Sequence, residues 1–368
     1  MRLISSAVDR RSIHQPLRAS VHALGLLVVV LFAASCAKST TTPTTPTPTP
    51  IAPPSITCPA SLSLTSAQAT PISVEYGVPT VSGGASPITT TCSPDNRAVF
   101  SIGATTVTCT ATDAQQRTSS CSLTVTLKAP PTVRLTKFVA FGDSLTKGED
   151  GNNTTLSPAG VLTFLQPIIR TDWAYPTVLT NSMRARYSLQ SSAINVVNQG
   201  CPGEMVNDNS VVTCNQPVVT RFSSVIQGQQ VVLLMEGSND VNFGTKDAPI
   251  LNDTIFNLQR MVRAAKSSGV TPYIATLPPM TGSGRGIGAS LVPGFNDRIR
   301  SLAASEGITL VDVYAAFNGD MSLIGADGLH LNQGGYQRVA DAFLQSIQAT
   351  LEQAPALASS TFITPTQQ

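Results

Sequence analysis

Charge is scarce in this chain. Only 12% of its 368 residues are Asp, Glu, Lys or Arg, and the formal net charge is +2. A basic stripe for nucleic acid, or a face for an acidic polymer, would need far more, so no nucleic-acid partner is expected. Histidine is scarcer still, with His14 and His22 near the N-terminus and His330 far downstream. One histidine beyond the N-terminal segment and no cysteine cluster at ligand spacing argue against a metal centre, and no cofactor is expected. No apolar run reaches the ~20 residues that a membrane-spanning helix needs. There is no Gly-x-Ser-x-Gly elbow. Gly282, Gly284, Gly286 and Gly288 are not spaced as a phosphate cradle, and no Lys-Ser/Thr follows them. A flexible flap is the expectation there.

What is present divides the chain. Arg2, Arg10, Arg11 and Arg18 precede a short apolar core at residues 23–34, the layout of an export signal over residues 1–35. Ala33-Ala34-Ser35-Cys36 resembles a bacterial lipoprotein cleavage site, which implies Cys36 as a lipidated N-terminus anchored in a membrane of the cell envelope. Residues 36–54 are a Thr/Pro tract with too few apolar side chains to fold, and its prolines favour extended polyproline II. At ~3.1 Å per residue it would serve as a spacer.

Residues 55–128 alternate apolar and polar. Ile72, Val74, Tyr76 and Val78 do so, then Val107, Cys109 and Ala111, then Cys121, Leu123, Val125 and Leu127. Period-2 runs between Gly/Pro/Ser turns predict an all-β sandwich of about seven strands. Its four cysteines permit three pairings. Cys58–Cys121 with Cys92–Cys109 is favoured, because first and last strands are often neighbours in such folds. Cys58-Pro59, residues 100–113 and Cys121-Ser122-Leu123-Thr124-Val125 resemble the hyalin-repeat (HYR) family of immunoglobulin-like modules. The resemblance implies a spacer or adhesion module without catalytic residues.

After a linker at 129–136, the pattern changes over residues 137–352, before a flexible tail at 353–368. Apolar strands are expected at 138–141, 194–197, 231–235, 272–276 and 309–313. Between them lie helical spacings such as Leu251, Ile255, Leu258 and Val262, with Gly269 as a stop. Later sets are Ile299, Leu302 and Ala303, then Tyr336, Val339, Phe343 and Ile347. Continuous apolar strands joined by helices imply an α/β fold, a parallel sheet covered on both faces with ligands at its carboxyl ends.

The first strand breaks at Gly142-Asp143-Ser144, which offers a hydroxyl in a turn. A serine attacks an acyl carbon only when a base takes its proton, and His330 is the one imidazole available downstream. Asp327, three residues earlier, can orient that imidazole. Four segments carry a resemblance to the SGNH, or GDSL, hydrolases: Gly142-Asp143-Ser144-Leu145, Asn198-Gln199-Gly200, Gly237-Ser238-Asn239-Asp240 and Asp327-Gly328-Leu329-His330. All four stand in family order.

The resemblance implies a flavodoxin-like three-layer αβα sheet and a serine esterase with Ser144, Asp327 and His330 as its triad. It also implies oxyanion donors at the Ser144 N–H, the Gly200 N–H and the Asn239 amide. Asp143 and Asp240 are read as turn residues. Cys201 and Cys214 complete an even cysteine count once Cys36 is lipidated, so they are expected to pair and pin the loop carrying Gly200. The substrate class is open: carbohydrate O-acyl or small acyl esters, lysophospholipid or thioester substrates, or acyl transfer to an alcohol. A surface adhesion protein with a non-hydrolytic domain is the competing class. A tethered sandwich suits a polysaccharide substrate. The long insertion at 148–173, apolar at Phe164, Leu165, Ile168 and Ile169, is expected to border the pocket. A monomer is the expected state.

Overall fold

The computed structural model describes residues 49–156, 162–164, 167–207, 212–243 and 250–354. The export signal, Cys36, most of the Thr/Pro tract, part of the 148–173 insertion with Leu165, and most of the C-terminal tail lie outside the described residues.

Eight short strands build the N-terminal module: β1 (Ser55–Thr57), β2 (Leu62–Thr65), β3 (Ile72–Ser73), β4 (Thr80–Ser82), β5 (Thr89–Ser93), β6 (Val99–Phe100), β7 (Gly103–Thr112) and β8 (Thr118–Lys128). They form a four-stranded sheet, β2-β8-β7-β5, and two pairs, β1-β4 and β3-β6. The alternation in β7 and β8 sends Val107, Cys109, Ala111, Leu123 and Val125 into the core. Val74 and Tyr76 join them, whereas Val78 is 78% exposed. Gly77 is the reason: its φ of +91° breaks the extended run, so the period-2 parity does not carry past it. Disulfides join Cys58 to Cys121 and Cys92 to Cys109.

The chain continues through β9 (Thr132–Val133), β10 (Lys137–Gly142), α1 (Ser144–Lys147), the hairpin β11 (Thr154–Leu156) and β12 (Leu162–Phe164), α2 (Tyr175–Arg186) and β13 (Asn195–Gly200). A second hairpin, β14 (Val212–Thr213) and β15 (Gln216–Pro217), leads to α3 (Val218–Val225), β16 (Val231–Met235), α4 (Ser238–Phe243) and α5 (Ile250–Ser267). Then follow β17 (Thr271–Ala275), α6 (Val292–Glu306), β18 (Thr309–Val311), α7 (Val313–Phe317), α8 (Gln333–Leu351) and β19 (Glu352–Gln353).

Five strands make one parallel sheet in the order β13-β10-β16-β17-β18, a doubly wound 2-1-3-4-5 arrangement. Every residue of β16 is buried, as expected for a central strand covered on both faces. One helical layer pairs α2 with α8, where Tyr175 stacks on Phe343 at 5.1 Å between ring centroids. The other holds α3, α5 and α6, with Phe222 edge-on to Phe141 of β10. The last strand is shorter than its apolar run, because Asp312 caps α7 by accepting from the Ala315 N–H.

Two boundaries differ from the sequence reading. Residues 129–136 are more than a linker: β9 pairs with β19, Val133 is 1% exposed, and its N–H donates to Gln190 Oε1. The same pairing takes Gln353 out of the tail. Ser188 Oγ also donates to the Ala67 carbonyl, a direct bond between the sandwich and the α/β layers.

Candidate active site

The first three motif segments leave the sheet at adjacent carboxyl ends. Gly142 closes β10, its register partner Gly200 closes β13, and Met235 closes β16 just before Glu236-Gly237-Ser238-Asn239. The crossing of the chain between β13 and β16 makes this a switch point, where such sheets bind ligands.

Asp143 caps the short α1 by accepting from the Leu145 N–H at 2.9 Å and ties to Ser238 through its other oxygen. Both bonds turn Ser144 out of the strand at the helix start, where its own N–H has no intrahelical acceptor. Burial pushes the Asp143 carboxyl up to about 6, with the Ser238 and Leu145 hydrogen bonds opposing that rise. Asp240 likewise serves the fold: it accepts from the Val206 and Asn207 N–H groups and from Thr254.

The loop before α8 brings the last segment across. Ser144 Oγ–H donates to His330 Nε2 at 2.8 Å, and His330 Nδ1–H donates to Asp327 Oδ2 at 2.6 Å. His330 is fully buried and Ser144 is 2% exposed. Asp327 Oδ1 accepts from the N–H groups of Leu329 and His330, which fixes both ends of the carboxylate. Burial alone would raise the Asp327 carboxyl, but the His330 bond and these N–H groups hold it below its usual range. A hydroxyl, an imidazole and an ionised carboxylate in line can move a proton from the alcohol and return it to a leaving group.

The glycine-rich run 282–288 lies beside this loop as a fitted segment, a correction to the expected flap. A Cβ on Gly284 would strike the Asp327 carbonyl, and one on Gly286 the Gly328 carbonyl. The Arg285 N–H donates to the Asp327 carbonyl at 2.6 Å and the Thr281 N–H to that of Gly328 at 3.0 Å. Glycine is needed there for backbone approach.

Gly200 also differs from expectation. Its N–H already donates to Asn198 Oδ1 at 2.9 Å, and a Cβ at this position would strike the Lys147 backbone and the Asp143 carbonyl. In the loop that follows, the Cys201 N–H is bound to the Gly142 carbonyl, Pro202 has none, and the Glu204 N–H is bound to the Cys201 carbonyl. The N–H left unengaged among these described residues is that of Gly203. Asn239 holds the same turn, its Nδ2 donating to the Glu204 carbonyl at 2.8 Å and keeping a second hydrogen free. The Cys201–Cys214 disulfide anchors it from the other side.

Three ionisable side chains belong to this turn and its surroundings. Glu204 is ion-paired with Arg221, whose guanidinium covers the Phe141 ring at 3.9 Å and donates to the Gln199 carbonyl. Glu236, 1% exposed, faces Glu204; burial and the nearby Asp143 and Glu204 charges raise its carboxyl well above the usual range, favouring the neutral acid. Glu149 and Arg285 flank His330, with Glu149 Oε2 at 3.4 Å from Nε2 and Arg285 paired to its other oxygen. Sequence reasoning passed over all of these. The only available signal for Arg285 was a lone charge in a glycine-rich run.

The model of the GDSL-like Lipase/Acylhydrolase family matches residues 140–338, more than half of the sequence. The chain belongs to this family. An HYR domain model matches residues 50–127. A multidomain esterase from Ruminococcus flavefaciens is 26% identical over 126 residues, covering 33% of this chain and 16% of that protein, so the chain spans only a small part of that relative. Among solved structures, an α/β hydrolase from the metagenome of Lake Arreo aligns at 22% identity and a TM-score of 0.44, over 59% of this chain and 96% of its own. An acetylxylan esterase from Geobacillus stearothermophilus aligns at 21% identity and a TM-score of 0.41, over 59% and 95% respectively. The family match over residues 140–338 and the parallel sheet agree with the fold expected from sequence.

Proposed function

We propose that the chain is an exported serine esterase that cleaves carbohydrate O-acyl or other small acyl esters through an acyl-Ser144 intermediate. The observation that carries the reading is the line from Ser144 Oγ through the imidazole to Asp327. Ser144 Oγ attacks the acyl carbon as its proton passes to His330 Nε2, and that proton then goes to the departing alcohol. Water, deprotonated by the same nitrogen, releases the acid. In this mechanism the Ser144 N–H, the Gly203 N–H and the free Asn239 amide hydrogen serve as the oxyanion donors.

Three disulfides suit an oxidising compartment, which supports export with residues 1–35 as the signal and Cys36 as a lipid anchor. The Thr/Pro tract and the HYR module would then stand between anchor and catalyst, a layout fitted to an extended, acylated polymer.

The test is turnover of p-nitrophenyl esters from acetyl to palmitoyl, alongside release of acetate from acetylated xylan, by the wild type and Ser144→Ala. Short acyl groups and the acetylated sugar should be cleaved, and Ser144→Ala should lose ~10³-fold or more while still folding. Preference for long chains would point to a lipase. Absence of turnover by folded protein would leave a binding module.

A further inference from the structure

The imidazole has a second acidic neighbour. Glu149, two positions beyond α1, is 3% exposed. Its Oε2 lies 3.4 Å from His330 Nε2, the nitrogen that also meets Ser144 Oγ. Its Oε1 is ion-paired with Arg285 Nη1, and that same Nη1 stands 3.7 Å from Asp327 Oδ2. The backbone is fixed on both sides: the Glu149 N–H donates to the Ser144 carbonyl at 3.1 Å, and Tyr336 Oη–H donates to the Glu149 carbonyl at 2.6 Å. The adjacent Asp150 is engaged elsewhere, with Arg170 at 3.1 Å. Thus His330 has a carboxylate at each ring nitrogen, and one guanidinium spans the two acids.

The consequence depends on where the proton is. While Nε2 carries a lone pair, a carboxylate beside it is a poor neighbour, and Arg285 offsets that repulsion. Once Nε2 has taken the serine proton, an N–H and a positive charge face Oε2. The attraction therefore appears as the tetrahedral intermediate forms, and an interaction that grows toward the transition state raises kcat more than it lowers KM. We propose that Glu149, aligned by Arg285, is a positioning residue that acts through His330 by stabilising its protonated ring at Nε2. The proton balance is that of the serine mechanism. It moves from Oγ to Nε2 as the Oγ–acyl bond forms, then to the alcohol oxygen as the ester bond breaks; Glu149 takes none. This inference rests on the Ser144–His330–Asp327 reading.

Full-length wild type, Glu149→Gln, Arg285→Gln, Arg285→Lys, Ser144→Ala, Asp327→Asn and the Asp327→Asn/Glu149→Gln double variant would be compared on p-nitrophenyl acetate, each with a thermal melt. Glu149→Gln should keep KM within about twofold and lose ~10- to 100-fold in kcat, less than the loss of a whole oxyanion donor because Arg285 moderates the charge. Asp327→Asn should retain residual turnover that the added Glu149→Gln lowers by a further ~10-fold. Arg285→Gln should lower kcat, and Arg285→Lys should restore part of it.

Wild-type kcat in Glu149→Gln would overturn the proposal, as would a loss that only tracks the melting temperature. Should Glu149→Gln fail to fold, the arginine pair decides: unchanged kcat in Arg285→Gln rejects the clamp. Undiminished turnover by Ser144→Ala would instead remove the serine mechanism itself. An inactive Ser144→Ala beside an unaffected Glu149→Gln would reject only the role of Glu149.

Discussion

Gly200 and Lys147 meet backbone to backbone, so closely that a methyl group on Gly200 would collide with the Lys147 nitrogen and α carbon. Gly203, three residues on, has open space where its Cβ would stand, although its φ of +79° disfavours any side chain. The two glycines therefore respond differently to alanine. Gly200→Ala should displace α1 from β13 and lower stability by about 3 kcal/mol or prevent folding. Gly203→Ala should cost about 1 kcal/mol in backbone strain. Urea unfolding of the two variants checks this, and equal losses would refute the separation of roles.

Asn239 donates one amide hydrogen to the Glu204 carbonyl, and in the proposed mechanism the other serves the oxyanion. Asn239→Ala should therefore lower kcat by ~10²–10³-fold with little change in KM. It should also reduce stability by about 1 kcal/mol through the lost carbonyl bond. Steady-state kinetics with a thermal melt separates the two effects.

Glu204 and Glu236 predict an asymmetry. Glu204 pairs with the buried Arg221, whereas Glu236 favours the neutral form. Glu204→Gln strands the guanidinium and should cost about 3–5 kcal/mol. Glu236→Gln preserves a neutral donor of similar shape and should stay within about 1 kcal/mol of wild type. Similar unfolding midpoints for the two variants would contradict this assignment.

Asp143 gives a pH dependence with a defined sign. Its folded value of about 6 lies above the ~3.9 of an unfolded aspartate, so in that window the native state binds more protons than the unfolded one. Its contribution to stability thus falls as pH rises from about 4 to 6, by at most about 3 kcal/mol. Glu236, raised for the same reason, adds a slope of the same sign, so comparison with a variant is needed to isolate Asp143. Relative to wild type, Asp143→Asn should gain stability over this window and hold the gain above it. A difference that stays flat between pH 4 and pH 7 would contradict the assignment.

The layered fold was legible because its information is local. Val231 to Met235 form an unbroken apolar run, and Leu251, Ile255, Leu258 and Val262 repeat at helical spacing. Ser144 and His330 were legible through scarcity, since a single downstream imidazole leaves little choice of base. Glu149 and Arg285 were not, because a contact between loops 136 residues apart leaves no periodicity to read. Gly200 and Gly203 look alike in one dimension; only the hydrogen-bond partner of each N–H tells them apart. Val78 shows the limit of alternation, which ends wherever a glycine reverses the backbone.

The central claim is that Ser144 Oγ is the nucleophile which His330 activates. Labelling with a fluorophosphonate, followed by peptide mapping by mass spectrometry, tests it most directly. One adduct on Ser144 is expected, formed in step with loss of esterase activity and strongly slowed in His330→Ala. Inactivation with Ser144 unmodified, or labelling that proceeds at the wild-type rate without His330, would contradict it.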